Sequence, residues 1–426
     1  MQLKLLLLFG SIAYFALSIA AGIGVHNDLH HIFAHAVIVF GIIAVFRHLF
    51  LLTCALIDSK SAFTGDVTQQ AKISIIVPAY NEALVIRQSL ESLISVKYPD
   101  FEIIVVDDGS TDGTAEIARQ FMKNHEQYPF QLIRQSNAGK ATALNTGIKH
   151  ASGEYVMCVD ADSRLHPDAL SNGVRHFVDE KVGAVGGFIE VINQEKLLTK
   201  FQQIEYLLSL NFLRAGLSLL GVVTVVPGPV GLFRKNALLE AGGYREDRNN
   251  FAEDADVTVR LLSLAWRVKG ERSMLAFTEA PDTLYDLLRQ RYRWKRGIYQ
   301  AFHENIFSLT TSPDPRGPLI VFFLALEAFA IDIINFGITL FFLASVLAHG
   351  ELALFIAWFA LLIFLDILTV LFVIPERKKA LQMMALFFLQ KFTYAYLLQA
   401  WSVFSYLDEW RSTGMNWDKL ERIGTH

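Results

Sequence analysis

Long apolar runs flank a single polar segment, and this arrangement limits what the chain can become. Residues 3–25 and 32–57 lie on one side, and residues 319–347 and 352–374 on the other. Each run is long enough to cross a bilayer as a helix. Hydrocarbon offers backbone N–H and C=O groups no partners except one another, so such runs fold as helices. A further stretch, 381–406, is apolar but carries Gln390, Lys391 and Gln399, which leaves crossing or surface lying open. Apolar residues make up 53% of the chain, while most of the charge falls in residues 58–318. The pattern predicts a water-facing domain inserted between membrane helices.

The first run is longer than a typical cleavable signal core and a second run follows closely, so it reads as a retained helix. Lys4 and Lys60 flank the first pair of runs, and Glu376-Arg377-Lys378-Lys379 follows the fourth. The connector from Val25 to His31 has neither Lys nor Arg. Basic residues favour the cytoplasmic side, so the central segment is expected there. Arg47 sits inside the second run and either snorkels to the interface or lines a cavity. His26, His30, His31 and His35 read as polar residues at a membrane surface. Two cysteines, Cys54 and Cys158, give no disulfide framework. A net charge of −4 without a basic tract gives no sign of a nucleic-acid partner.

Within the central segment, short β-branched runs alternate with helical patterns. Strands are expected at 73–78, 102–106, 130–133 and 154–159, with helices between them. That alternation predicts an α/β fold with a mostly parallel sheet and helices on both faces. Ligands of such sheets bind outside the carboxyl ends of the strands. Polar residues gather there: Tyr80 and Glu82, Asp107 and Asp108, and Asp160 with Asp162. Glycine-rich dinucleotide and P-loop fingerprints are missing from the sequence. If Asp160 and Asp162 end an extended strand, their side chains point the same way. Paired carboxylates of this kind suit Mg²⁺ or Mn²⁺ bridging a diphosphate. Lys140, after Asn137-Ala138-Gly139, is placed to offset phosphate charge. Glu253 and Asp254 precede a helical pattern and are candidates for the general base. Residues 284–307 predict an amphipathic helix at the bilayer surface. Gln290, Arg293 and Trp294 share one of its faces, where an indole can stack on a sugar.

Taken together, these residues resemble the family-2 glycosyltransferases, specifically their processive membrane branch. That branch combines Asp, Asp-x-Asp, Asp and Gln-x-x-Arg-Trp, and here 35 residues separate Asp254 from Gln290. The branch includes cellulose, chitin and hyaluronan synthases, and the likeness is closest to bacterial poly-N-acetylglucosamine and chitin oligosaccharide synthases. It implies a GT-A-like domain over 59–283, two membrane helices in 1–58, an interfacial helix over 284–318, further membrane or interfacial helices over 319–406, and a tail over 407–426. It implies that Tyr80, Glu82, Asp107 and Asp108 lie at the nucleoside and Lys140 at the diphosphate. Asp160 and Asp162 would hold nucleotide and metal, with Asp162 the direct ligand. Asp254 would be the base, with Glu253 beside it. Gln290, Arg293 and Trp294 would bind the acceptor end and the pyrophosphate. Pro227 to Arg234 resembles an acceptor-site segment, although its two prolines depart from the usual small residues. Trp417 and Arg422 resemble an element that closes over bound nucleotide.

The resemblance implies inverting transfer from a UDP-sugar, UDP-N-acetylglucosamine first among them, to a growing β-linked glycan at the plasma membrane. Export is expected to accompany synthesis, and a small accessory membrane subunit is an open partner. Glu327, Asp332, Asn335 and Asp366, inside apolar runs, either line a glycan path or bond between helices. Two rival readings remain: a non-processive enzyme loading sugar onto lipid phosphate, and a transporter or receptor with an inactive nucleotide domain.

Overall fold

The computed structural model describes residues 20, 27–60, 71–247, 251–327, 331–350, 352–373 and 377–411. The first apolar run except Ala20, the Trp417 and Arg422 element, and His26 lie outside the described residues. A long helix, α1 (Asn27–Lys60), leads to the central domain. There, β1 (Ile73–Ala79), α2 (Ile86–Ile94), β2 (Phe101–Asp107), α3 (Thr114–Lys123), β3 (Phe130–Arg134), α4 (Lys140–His150) and β4 (Tyr155–Cys158) alternate strand with helix. This is the α/β pattern expected from the sequence. β1 pairs in parallel with β2 and β4, and β2 with β3.

Side-chain alternation along β1 explains why its apolar run is nearly continuous. Ile73, Ile75 and Val77 enter one core with Leu90 of α2 and Phe121 of α3. Ile76 enters the opposite core with Leu144 and Ile148 of α4. A strand covered on both faces has no side left for polar residues. α4 lies close to β1, since a Cβ on Gly147 would come 2.4 Å from Ile76 Cγ2. The chain steps outward from β1 to β3, then returns to β4 on the other side of β1. That reversal opens a crevice at the carboxyl ends of β1 and β4.

The second half contains β5 (Ser163–Leu165), α5 (Ala169–Val174), β6 (Val182–Val191), α6 (Leu197–Glu205) and α7 (Phe212–Ser218). It continues through β7 (Gly231–Arg234), α8 (Lys235–Glu240), α9 (Glu253–Ser263) and β8 (Arg267–Thr278). Among the described residues, eight strands form one sheet in the order β3-β2-β1-β4-β7-β6-β8-β5. β7 runs antiparallel to both β4 and β6, while β6 and β8 run parallel. The sheet is therefore parallel around the crevice and mixed beyond it.

α10 (Leu284–Thr310) starts at a Thr283 cap that accepts a hydrogen bond from Asp286 N at 3.2 Å. After it come α11 (Gly317–Ala325), α12 (Ile331–His349), α13 (Leu352–Val373), α14 (Arg377–Phe392) and α15 (Tyr394–Trp410). The 381–406 stretch divides at Thr393, whose φ of −126° and ψ of −73° interrupt the helix between α14 and α15. Hydropathy cannot register this break, because apolar residues continue across it. Among the described residues, two helical stretches, His30–Ser59 and Ile331–His349, are long and apolar enough to cross a membrane. α1 packs directly on the central domain, since a Cβ on Gly216 of α7 would meet Leu51 Cδ2 at 2.8 Å.

Candidate active site

Loops at the carboxyl ends of β1 and β2 are tied together before any acidic chemistry begins. Asn81 N donates to Ser110 Oγ at 2.9 Å, and Asn81 Oδ1 accepts from Thr111 N at 2.8 Å. Asn81 adopts φ +54°, a backbone region that asparagine tolerates better than most residues. Glu82 N donates to Thr114 Oγ1 at 2.8 Å. Tyr80 and Glu82 thereby occupy a loop held at both ends, with Tyr80 half-buried and Glu82 buried.

Asp107 is fully buried at the end of β2, where Oδ2 accepts from Arg134 Nε at 3.0 Å. Asp108 accepts from Gln135 Nε2 at 2.7 Å, Ala138 N at 3.0 Å and Gly139 N at 2.8 Å. Of these two carboxylates, assigned by resemblance to the nucleoside, Asp108 here shapes the 135–139 loop that delivers Lys140, while Asp107 holds Arg134 and Ser110 N. Gly109 cannot gain a side chain, because a Cβ would lie 2.8 Å from Asn137 N and its φ is +78°.

Lys140 begins α4 and joins two of the acidic groups. Its Nζ lies 2.7 Å from Asp160 Oδ1 and 2.8 Å from Glu253 Oε1. Burial would lower its pKa, but the two carboxylates outweigh that and hold it raised. Gly228 passes close by, since a Cβ there would come 3.0 Å from Lys140 Nζ and 3.2 Å from Asp160 Oδ2. The Pro227-Gly228-Pro229 segment therefore lies against Lys140 and Asp160, and a glycine is what fits beside the pair.

Asp160 and Asp162 depart from the expected geometry. β4 stops at Cys158, and the two aspartates belong to a turn closed by Ser163 N donating to Asp160 O at 2.9 Å. Strand alternation does not apply to them. They still interact: burial raises the Asp160 pKa, Lys140 opposes, and the Asp162 charge adds to the rise. Asp162 Oδ1 accepts from Ser163 Oγ at 3.0 Å.

Glu253 and Asp254 open α9, as the sequence pattern predicts. Burial works against ionisation of Glu253, but Lys140 and then Arg293 overcome it and hold its pKa low. Asp254 behaves oppositely. Burial, followed by the neighbouring Glu253 charge, pushes its pKa up to about 6. Two adjacent carboxylates with diverging pKa values suit different roles, and one near neutrality suits proton transfer.

Trp294 reaches this group through Tyr206 and Arg291. The Tyr206 and Trp294 rings lie 6.2 Å apart, and the Arg291 guanidinium lies 4.3 Å from the indole centroid. Arg291 is buried and bidentate to Glu205, with Nε–Oε1 2.9 Å and Nη2–Oε2 2.6 Å. It also bonds Gln290 Oε1. Burial raises the Tyr206 pKa, Arg291 opposes, and Asp162 adds to the rise. Asp162, Tyr206 and Trp294 are therefore neighbours, and Arg293 acts on Glu253. Asp160 and Glu253 thus meet through Lys140, and Trp294 adjoins them through Tyr206. Sequence reasoning missed Arg291 and Glu205, because a lone Arg beside a motif carries no sign of its partner 86 positions away.

From Trp294, a cavity of about 450 Å³ extends between the domain and the apolar helices. Asp332, Asn335 and Asp366 line it. Arg47, left between two readings by the sequence, also lines it and pairs with Glu327. The acids are not free-standing: Asp332 pairs with Lys295, and Asp366 with Lys391 at 2.9 Å.

Metal capacity follows from the donor set. Among the described residues no group of three or more His, Cys, Asp and Glu side chains gathers as a ligand cage. Asp160 and Asp162 supply hard oxygen donors, and Mg²⁺ commonly takes one or two carboxylates, with phosphate oxygens and water completing its shell. The residues fit that kind of ion.

Comparison with known proteins agrees with this construction. Residues 74–242 match the family described as Glycosyl transferase family 2. A poly-beta-1,6-N-acetyl-D-glucosamine synthase of Staphylococcus epidermidis is 37% identical over 238 residues, covering 55% of this chain and 57% of that protein. One from Staphylococcus aureus strain COL is 35% identical over 257 residues, covering 60% and 61%. The chain thus matches less than two thirds of the length of either relative. A mannosyltransferase from Pyrobaculum calidifontis, solved with GDP-Man and Mn²⁺, superposes with a TM-score of 0.62 at 22% identity, covering 88% of this chain and 99% of that one. The fold is GT-A-like, and the central domain of this chain is similar to glycosyl transferase family 2 over residues 74–242.

Proposed function

We propose that this chain is a membrane glycosyltransferase moving a sugar from a UDP-sugar, UDP-N-acetylglucosamine first among candidates, onto a growing β-linked glycan. The observation that carries this reading is the convergence of Asp160, Lys140 and Glu253 beside Asp254, whose pKa is pushed up to about 6. The likeness to poly-beta-1,6-N-acetyl-D-glucosamine synthases supports the choice of sugar.

Asp254 accepts the proton of an acceptor hydroxyl as that oxygen attacks the anomeric carbon. The bond from that carbon to the diphosphate breaks, and UDP leaves with the electron pair. One displacement inverts an α-linked donor to a β-linkage. Lys140 lies where it can exchange its carboxylate partners for phosphate oxygens. Tyr80, Glu82, Asp107 and Asp108 are assigned to the nucleoside end, Asp108 through the loop it holds. Gln290, Arg293 and Trp294 are assigned to the acceptor and the pyrophosphate. A divalent Mg²⁺ or Mn²⁺ held by Asp162, with Asp160 beside it, would neutralise charge on the departing diphosphate.

Processive synthesis coupled to export belongs to the same proposal. The cavity beyond Trp294, with Asn335 and paired acids on its wall, supports it. So do the two membrane-length helical stretches. A plasma-membrane position with a cytoplasmic domain follows from the basic flanks of the apolar runs. The test is to incubate purified protein with Mg²⁺ or Mn²⁺ and each UDP-sugar in turn, measure UDP release, and size the product by mass spectrometry. A long glycan from one donor is expected. A single-sugar lipid product overturns processivity, and no UDP release with any donor overturns the transferase reading.

A further inference from the structure

Most charges on the cavity wall are matched, and one is not. Arg47 faces Glu327, Arg291 faces Glu205, Lys295 faces Asp332, and Lys391 faces Asp366. Arg214 of α7 lines the same cavity, is 5% exposed, and has no carboxylate partner among the described residues. Its Nη1 donates to Gly187 O at 2.7 Å and Asn211 Oδ1 at 3.3 Å. Its Nε is buried and donates to no atom among the described residues. An isolated buried charge with an idle donor is costly, and proteins seldom keep one without use.

The surroundings are built around this side chain. Gly186 and Gly270 are register partners on β6 and β8. A Cβ on Gly186 would come 3.3 Å from Arg214 Cδ, and one on Gly270 would come 2.9 Å from its Cγ. Side chains at those positions would crowd the slot where the Arg214 stem lies. Just upstream, Tyr206–Asn211 forms a wide π-type turn, which shifts the helical phase before α7. Such turns recur at functional sites. The same turn carries Tyr206, which faces Trp294. Asp254 is the carboxylate whose charge acts on Arg214. Burial lowers the Arg214 pKa to about 10, so the guanidinium remains charged at neutral pH.

We infer that Arg214 is an acceptor-binding residue, whose free guanidinium N–H groups donate to a hydroxyl or acetamido oxygen of the glycan unit lying between Trp294 and Asp254. This rests on the proposed transferase reading and specifies what holds the acceptor there. An uncharged glycan cannot neutralise Arg214, but its oxygens can accept charge-assisted hydrogen bonds from the guanidinium N–H groups that face the cavity. Such bonds contribute roughly 1.5–3 kcal/mol each, corresponding to about 10-fold to 100-fold in acceptor affinity.

The test uses the full chain in detergent, a UDP-sugar that the wild-type protein turns over, and a soluble β-linked N-acetylglucosamine disaccharide as primer. Arg214→Gln is expected to raise the primer KM about 10-fold to 100-fold. UDP affinity, measured separately by calorimetry, and the acid limb of the rate profile should stay as in the wild type. Arg214→Lys, which keeps the charge but not the fork of donors, should give an intermediate primer KM. It also serves if the Gln variant fails to fold. An unchanged primer KM in a folded variant overturns the inference. A shifted acid limb with unchanged KM also overturns it, because Arg214 would then act through Asp254. If the wild-type protein turns over no UDP-sugar, the transferase reading itself fails and the inference falls with it. Wild-type turnover with an Arg214-independent KM sinks only the inference.

Discussion

Asp254 and Glu253 show how adjacent side chains of nearly the same chemistry acquire different behaviour. Lys140 contacts Glu253, while Asp254 keeps the burial and the repulsion. A base must be ionised to act, so kcat/KM should fall as pH drops through about 6 and level off above it. Glu253→Gln removes the repelling charge and should move that acid limb to lower pH, which a rate profile reads directly. Asp254→Asn should cost about 10²-fold to 10⁴-fold in kcat, the range for loss of a general base. Its UDP affinity should remain near that of the wild type; equal loss of both would contradict the assignment. Chelation with EDTA should stop UDP release and Mg²⁺ or Mn²⁺ should restore it, whereas Asp162→Asn should raise the metal concentration needed. The identities of these residues were legible in the sequence, because carboxylates at successive strand and helix ends form a pattern. Their pairings were not: Lys140 meets Glu253 only because α4 and α9 both begin at the crevice.

Helix α10 bears the Gln290, Arg293 and Trp294 face, and its neighbours fasten the opposite sides. Arg296 Nε lies 2.6 Å from Glu409 Oε2, Tyr292 donates to Asp408 Oδ2 at 2.9 Å, and Trp401 Nε1 donates to Leu288 O at 2.7 Å. All three partners belong to α15. Arg291→Met leaves the half-buried Glu205 without its cation, a change that costs on the order of 3–5 kcal/mol. The thermal midpoint in detergent should fall accordingly, and any residual activity should show a raised primer KM as Trp294 loses its support. A midpoint equal to that of the wild type would remove Arg291 from this role. The amphipathic helix was readable from its pattern, and its start at Thr283 follows ordinary capping. The break at Thr393 and the turn holding Asp160 and Asp162 were not readable, since neither changes hydrophobic periodicity.

Domain and apolar helices are joined through charges as well as apolar packing. Arg47 of α1 pairs with Glu327, Lys295 of α10 with Asp332 of α12, and His48 Nε2 lies 2.9 Å from Thr369 Oγ1 of α13. Glu327→Gln should lower the thermal midpoint by an amount corresponding to about 1–3 kcal/mol, the value of a hydrogen bond to a charged group. The swapped pair Arg47→Glu with Glu327→Arg should recover part of that loss. No loss in the single variant would show that the pair does not tie these helices. The sequence left Glu327, Asp332, Asn335 and Asp366 between a glycan path and interhelical bonding. The ion pairs supply the second role, and the cavity they line supports the first.

Order along the chain was enough to establish an α/β domain between apolar runs, the acidic strand ends and the face of α10 that carries Trp294. These follow from local rules: side-chain period, helix capping and the length needed to cross hydrocarbon. Three features required the folded chain: the antiparallel β7 at the heart of the sheet, the Lys140 bridge, and the unmatched charge of Arg214. Each depends on which distant segments become neighbours, and spacing along one strand of residues carries no record of that. Packing assigns partners, and with them the pKa values and idle donors from which chemistry is made.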